Sequence, residues 1–415
     1  MTVQLEARNT NMADLARILK EQQAAKLDIV GPITGLRSRG GTFSVAGTSV
    51  FDDAGAEFTP TAIADGHLAD KLGIPVKYLR RMRAERPDLY DENVNGWIHG
   101  LVSGAAEQED GSIAPTYFAE PDKRTVMARC FQGDPGERGV LRAVLSDRYM
   151  IIENFDVLTA ALAGIYETGT QVEVLGCDLT ETRMRVNLAA PEIFRNSPQL
   201  LANYRSPFGG EGVYHHEGNS SGFYAPGQLP QALQDRYGVD SNGVCAGLVL
   251  TNGETGGSAF SLGPRFLLLA CANGVMIEAD AFERIHLAGK LEHGIVDWST
   301  DTQQKALALV TAQARDAVKA FLDPEYVEKA LSKIEAKASK RIENPAQVIE
   351  IVSKQLSFTD EQREGVLAHF IAGGQVTAGG VMQAVTSFAQ TVSNPDVAYD
   401  LELAAMKALD IAVAA

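Results

Sequence analysis

Hydrophobic and polar positions change period four times along the chain. Around residues 10–25, "TNMADLARILKEQQAA", apolar residues recur at spacings of three and four, which predicts an amphipathic helix. In "LRSRGGTFSVAG" the pattern switches to alternation around a glycine pair, the mark of a hairpin. A helical stretch follows at 67–90, then an acidic, small-residue segment, "VSGAAEQEDGSIAPTYFAEPDK", that suggests a boundary at 102–123. From 124 to 298 strand periods dominate. "TQVEVLGCDLTETRMRVNLA" reads as a hairpin whose second half sends Met184, Val186 and Leu188 to the core and Arg183, Arg185 and Asn187 outward. A Gly/Pro/Tyr-rich insertion at 191–230 interrupts this domain, and a stretch that long without a period is usually functional. From 299 onward the period is helical again. Leu307, Val310, Ala314, Val318 and Phe321 form one apolar stripe, and Asp323-Pro324, Asn344-Pro345 and Thr359 with Gln362 mark helix starts.

These periods predict an α+β protein in three parts. An N-terminal α+β unit spans 1–101, a central antiparallel-sheet domain 124–298, and an α-helical C-terminal region 299–415. A chain of 415 residues is long enough for more than one core. The longest apolar run, "RFLLLACANGVMIEA", falls short of the roughly 20 residues that span a bilayer, and the start lacks a signal peptide's apolar stretch. The expectation is a cytoplasmic protein with no membrane partner. Cys130, Cys177, Cys245 and Cys271 are scattered and form no C-x-x-C, so neither a disulfide framework nor a zinc cage is expected.

The net charge of -16 argues against a protein that coats nucleic acid with its whole surface. It leaves room for a local basic patch, because salt confines charge effects to about 8–10 Å. One such patch stands out. Residues 66–86 hold six cations (Lys71, Lys77, Arg80, Arg81, Arg83, Arg86) against two anions (Asp70, Glu85), a local net of +4. Ala69 and Gly73 have the spacing of a helix-turn-helix, with Leu68, Leu72, Ile74, Leu79 and Met82 apolar where two helices must pack. Lys77, Arg80, Arg81 and Arg83 are then expected at the outer surface of the second helix, placed for phosphates. A plain helical hairpin that only packs a core has the same spacing. Arg183 and Arg185, with aromatics such as Tyr149, Tyr204 and Phe208 in the surrounding sequence, are expected to hold single strands by phosphate contact and base stacking.

Other constellations carry less. Lys329, Lys333, Lys337 and Arg341 share a helix face but are diluted by glutamates, as on a solvated surface. His215 and His216 are adjacent in the insertion and His286 and His293 lie seven apart, with no spacing that builds a metal site. "TNGETGGSAF" lacks the G-K-[ST] of a phosphate loop and reads as a turn. No metal, cofactor or catalytic residue is expected.

Three stretches, "LRAVLSDRYMIIENFDVL", "LTNGETGGSAFSLGPRFLLLACANGVMI" and "VTAGGVMQAVTSFAQ", resemble the phage/plasmid-like protein family, whose shared region is known only as a domain of unknown function. The resemblance covers about residues 125–400. The matching positions are Ser146, Asp147, Arg148 and Tyr149, then Asn252, Glu254, Thr255 and Gly256, then Cys271, Asn273 and Gly274. It implies a protein of phages, plasmids and their relatives, and no reaction. Asp147 and Arg148 fit a strand-to-helix junction as well as a binding role.

The reading that follows is a nucleic-acid-handling protein, with single-stranded DNA binding or annealing in recombination or replication favoured. Lys77, Arg80, Arg81 and Arg83 hold phosphates at one edge, and Arg148, Arg183 and Arg185 along the sheet. Two rivals stand beside it. One is an assembly component, a homo-oligomer joined through the helical C-terminal region, with no nucleic-acid contact. The other is an enzyme with His215 and His216 as acid–base groups in the insertion.

Overall fold

The computed structural model describes residues 3–46, 56–108, 112–149, 151–208, 233, 235–236, 243–270, 272–277, 282–284 and 300–415. The chain opens with β1 (Ala7–Thr10), α1 (Met12–Ala25) and β2 (Lys26–Pro32). Helix α1 starts where predicted, because Asn11 accepts the Asp14 N–H as an N-cap. Strands β3 (Leu36–Arg39) and β4 (Thr42–Val45) form the expected hairpin. Gly40 (φ 61°) and Gly41 (φ 77°) supply the two positive φ angles of its two-residue turn. Next come β5 (Glu57–Pro60), three helices α2 (Ala62–Leu72), α3 (Val76–Glu85) and α4 (Pro87–His99), and a hairpin of β6 (Leu101–Glu107) and β7 (Ile113–Ala119).

Strands β8 (Thr125–Phe131) and β9 (Gly139–Ser146) do not begin a new domain. They return to the N-terminal strands, giving a six-stranded sheet in the order β2-β8-β9-β5-β4-β3, with β5 and β9 parallel. Its core joins Ile33, Phe43, Phe58, Leu141 and Val144 to Leu68, Leu79, Met82, Tyr90 and Val94 of α2–α4.

After α5 (Asn154–Tyr166), β10 (Glu173–Leu179), β11 (Met184–Asn196), β12 (Gly243–Asn252), β13 (Phe260–Leu268), β14 (Asn273–Met276) and β15 (Phe282–Arg284) build a second, antiparallel sheet of seven strands. The seventh is β1, which pairs with β10 from 163 or more residues away in sequence. Met184, Val186, Leu188, Leu248 and Leu250 join one core with Leu15 and Ile18 of α1 and Val157 and Ala161 of α5. The C-terminal region is helical, as the sequence predicts: α6 (Thr300–Phe321), α7 (Pro324–Ala338), α8 (Pro345–Gln355), α9 (Asp360–Gly373), α10 (Ala378–Thr391) and α11 (Pro395–Ala414). Asp323, Asn344 and Thr359 cap α7, α8 and α9, the last as a full capping box with Gln362. The fold is α+β.

No helix among the described residues is long and apolar enough to cross a membrane, and no group of three or more His, Cys, Asp or Glu there could hold a metal ion.

Candidate nucleic-acid interface

Helices α2 and α3 follow one another across a short turn at Gly73–Pro75, where the Ala69–Gly73 spacing lies. Thr61 caps α2 by accepting the Ala64 N–H. Gly73 ends it in the left-handed conformation (φ 67°), donating its N–H to the Ala69 and Asp70 carbonyls. Pro75 sits at the N-cap of α3, one position before the first helical residue, where its missing N–H costs nothing. Leu68, Ala69, Leu72, Leu79 and Met82 are buried, and α4 closes the unit with Tyr90, Val94 and Ile98.

The opposite side of α3 faces solvent. Lys77, Arg80 and Arg81 are exposed, and Tyr78, between them in sequence, is 55% exposed. Arg81 pairs with Glu85 at 2.8 Å, an exposed i,i+4 bridge of small net worth. Arg80 reaches back to the Ala62 carbonyl at 2.7 Å. Arg83 departs from the expected outer position. It is half-buried, donating to the Asp65 carboxylate at 2.5 Å and to the Pro60 carbonyl at 3.0 Å. Asp65 is fully buried, and burial pushes its pKa up while Arg83 opposes the rise. Arg83 therefore pins α3 to α2 and β5, a role invisible in the 66–86 charge count, which stops one residue short of Asp65. Across 62–99 six Lys and Arg face six Asp and Glu. The basic character belongs to one face of α3, not to the three-helix unit.

The outward placement expected for Arg183 and Arg185 is overturned. Every residue of the central strand β12 is buried, so both faces of the sheet are covered there, and the face carrying Arg185 lies under α11. Arg185 is 2% exposed; it donates to the Glu402 carboxylate and, through Nε, to Asn187 Oδ1 at 3.0 Å, and lies 3.8 Å from Asp178. Arg183 lies against Asp396 (3.4 Å) and Asp400 (3.6 Å), its guanidinium 4.5 Å from the centre of the Tyr399 ring. Arg265 shares Glu402 at 3.9 Å, and burial lowers its pKa to about 10. The physical reason is neutralisation: α11 brings acids to Arg183, Arg185 and Arg265, so none of the three is offered to a strand of DNA. A cavity of about 210 Å³ remains between this face and α11, lined by Arg183, Thr251, Ser258, Ser261, Tyr399 and Asp400 among others.

Arg148 is exposed in the turn after β9, where the Ser146 hydroxyl accepts its backbone N–H at 3.2 Å. This turn belongs to the first family-like stretch, and the structure brings it against the second: Gly256 lies beside Leu145 and Tyr149. Behind the contact is a buried ion network that sequence reading missed. Glu254 accepts from Arg142 Nη1 at 2.8 Å and from the Asn154 N–H at 2.7 Å, with Arg129 at 3.7 Å. Arg129, 1% exposed, also meets Glu153 at 2.5 Å and Asp28 at 3.8 Å, and Lys26 holds Glu153 at 2.8 Å. Burial drives the Glu254 carboxyl upward, but Arg142, Arg129 and the Asn154 N–H outweigh it and hold its pKa near about 2. Three cations and three anions thus lock the two sheets together through the N-terminus of α5. The only signal in the sequence was the coincidence of Glu254 with a resembling motif.

Cys130, Cys177 and Cys245 are buried free thiols whose pKa burial pushes up to about 12, so they are inert. His215, His216, His286, His293, Cys271 and most of the 191–230 insertion lie outside the described residues. No family model matches the chain, and neither a curated protein nor a solved structure matches it.

Proposed function

We propose that this chain is a nucleic-acid-handling protein of a phage or plasmid, related to the phage/plasmid-like family, and that it holds DNA on the outer face of α3. One observation carries the reading: Lys77, Arg80 and Arg81 stand exposed beside Tyr78 on a helix whose other side is sunk in a core. The three cations suit phosphates, and the tyrosine ring suits an unpaired base, a combination that favours single strands. Arg148, exposed at its own turn, is a further phosphate contact in this reading. Arg83, Arg183 and Arg185 leave it, because each is already neutralised inside the protein. The family relationship is supported by the meeting of two resembling stretches at the Gly256–Tyr149 contact.

The test is fluorescence anisotropy with single- and double-stranded oligonucleotides over a salt series. Three or four phosphate contacts predict that log K falls against log salt with a slope of about −2 to −3 for a single strand. The Lys77→Glu/Arg80→Glu/Arg81→Glu variant is expected to flatten that slope. An unchanged slope moves the site off α3, and no binding at low salt ends the DNA reading.

A further inference from the structure

The cavity of about 210 Å³ between the seven-stranded sheet and α11 has a polar end and an apolar end. Its floor is the sheet face that carries Arg185. Thr251 pairs with Ser261 and Val249 with Gly263, and Gly263 contributes no side chain to fill the space above it. Arg183, Asp400 and the Ser258 hydroxyl line the end by the β12–β13 turn. Farther along the strands Val249 and Met276 are buried, and Ile277 and Leu403 complete an apolar wall.

Arg183 is neutralised but not saturated. Asp396 and Asp400 stand off at 3.4 and 3.6 Å, beyond the roughly 2.7–2.9 Å of a charge-assisted hydrogen bond. Its Nε is buried with no hydrogen-bond partner. The Tyr399 ring, 4.5 Å from the guanidinium, holds it in place. Asp396 is engaged elsewhere, accepting from the Thr182 hydroxyl at 2.5 Å. Asp400 is not: its side chain is 68% exposed, and partial burial raises its pKa against the pull of Arg183. A cation and an anion thus stand side by side at the polar end, each with bonding capacity to spare.

We propose that this cavity binds a free α-amino acid with an aliphatic side chain, its carboxylate on Arg183, its ammonium on Asp400, and its side chain against Val249, Met276, Ile277 and Leu403. A zwitterion brings both counter-charges at once. A phosphate brings only one and meets Asp396 and Asp400 as like charges, so the neutralisation that closes this face to DNA leaves it open to such a ligand. Size agrees. An engineered apolar cavity of about 150 Å³ holds the six carbons of benzene, so about 210 Å³ holds roughly eight or nine non-hydrogen atoms, the size of valine or leucine.

The site is separate from the proposed DNA face on α3, and neither depends on the other. Isothermal titration calorimetry on the full chain is expected to show leucine or valine binding with a Kd below about 1 mM. Two probes share the leucine skeleton: 4-methylpentanoate lacks the ammonium and 3-methylbutylamine lacks the carboxylate. Each is expected to bind at least about tenfold more weakly, the loss of one charge-assisted contact. Asp400→Asn is expected to weaken leucine by a similar factor with an unchanged thermal midpoint, because that side chain is mostly exposed. No heat from leucine or valine at about 10 mM overturns the proposal. So does either one-charge probe binding as tightly as leucine, or full leucine affinity in Asp400→Asn.

Discussion

Glu254→Gln tests whether the buried ion network holds the two sheets together. The substitution keeps the size of the side chain and removes its charge, leaving Arg129 and Arg142 to share Glu153 and Asp28. Two routes give the cost. Holding the carboxyl near about 2 instead of its ordinary 4.5 corresponds to about 3 kcal/mol at neutral pH. Breaking a buried pair by removing one partner typically costs about 3–5 kcal/mol. The two agree on about 3 kcal/mol or slightly more. With a urea slope on the order of 3 kcal/mol/M, the far-UV circular dichroism midpoint is expected to fall by about 1 M. The pH dependence carries a sign. A depressed carboxylate pKa stabilises the fold above about 4.5, and that stability is lost as pH drops toward about 2. Glu153, raised by burial and by Glu254 beside it, works the other way, since its protonation on acidification favours the folded state. Wild type is therefore expected to lose stability below about pH 4.5, and Glu254→Gln to lose much less over the same window. A midpoint shift under about 0.3 M, or identical acid limbs for the two proteins, would refute the reasoning.

Arg185→Ala is expected to cost about 3–5 kcal/mol in the same urea titration, because Glu402 is left buried with only Arg265, 3.9 Å away, to balance it. Any oligonucleotide affinity should survive it, and a specific loss of binding by a stable variant would restore Arg185 to the interface. Gly274→Ala and Gly66→Ala separate space from propensity. A Cβ at Gly274 would lie 1.9 Å from Arg265 Nη2, so a destabilisation of about 1–3 kcal/mol is expected, whereas Gly66, in α2 with nothing within 4 Å, should gain about 0.5–1 kcal/mol. Thermal midpoints that move in the same direction for both would contradict this account.

The sequence by itself determined what is local. The Gly40-Gly41 turn, the caps at Asp323, Asn344 and Thr359, the α2–α3 pair and the helical C-terminal region all rest on signals within about four residues, a range that side-chain capping, turn geometry and helical period share. The exposed face of α3 was legible for the same reason. Tertiary structure alone decided which strand joins which sheet: β1 leaves the N-terminus for β10, and β8 and β9 return across the 102–123 segment to β2 and β5. It also decided which arginines remain available. Met184, Val186 and Leu188 turn inward as their alternation says, yet alternation cannot tell whether the other face meets water or a helix from the far end of the chain. Asp396 and Asp400, four apart on α11, carry the charge that neutralises Arg183, and Glu402 does so for Arg185. A charge is cationic surface only when no acid folds onto it, and that acid can be more than two hundred residues away.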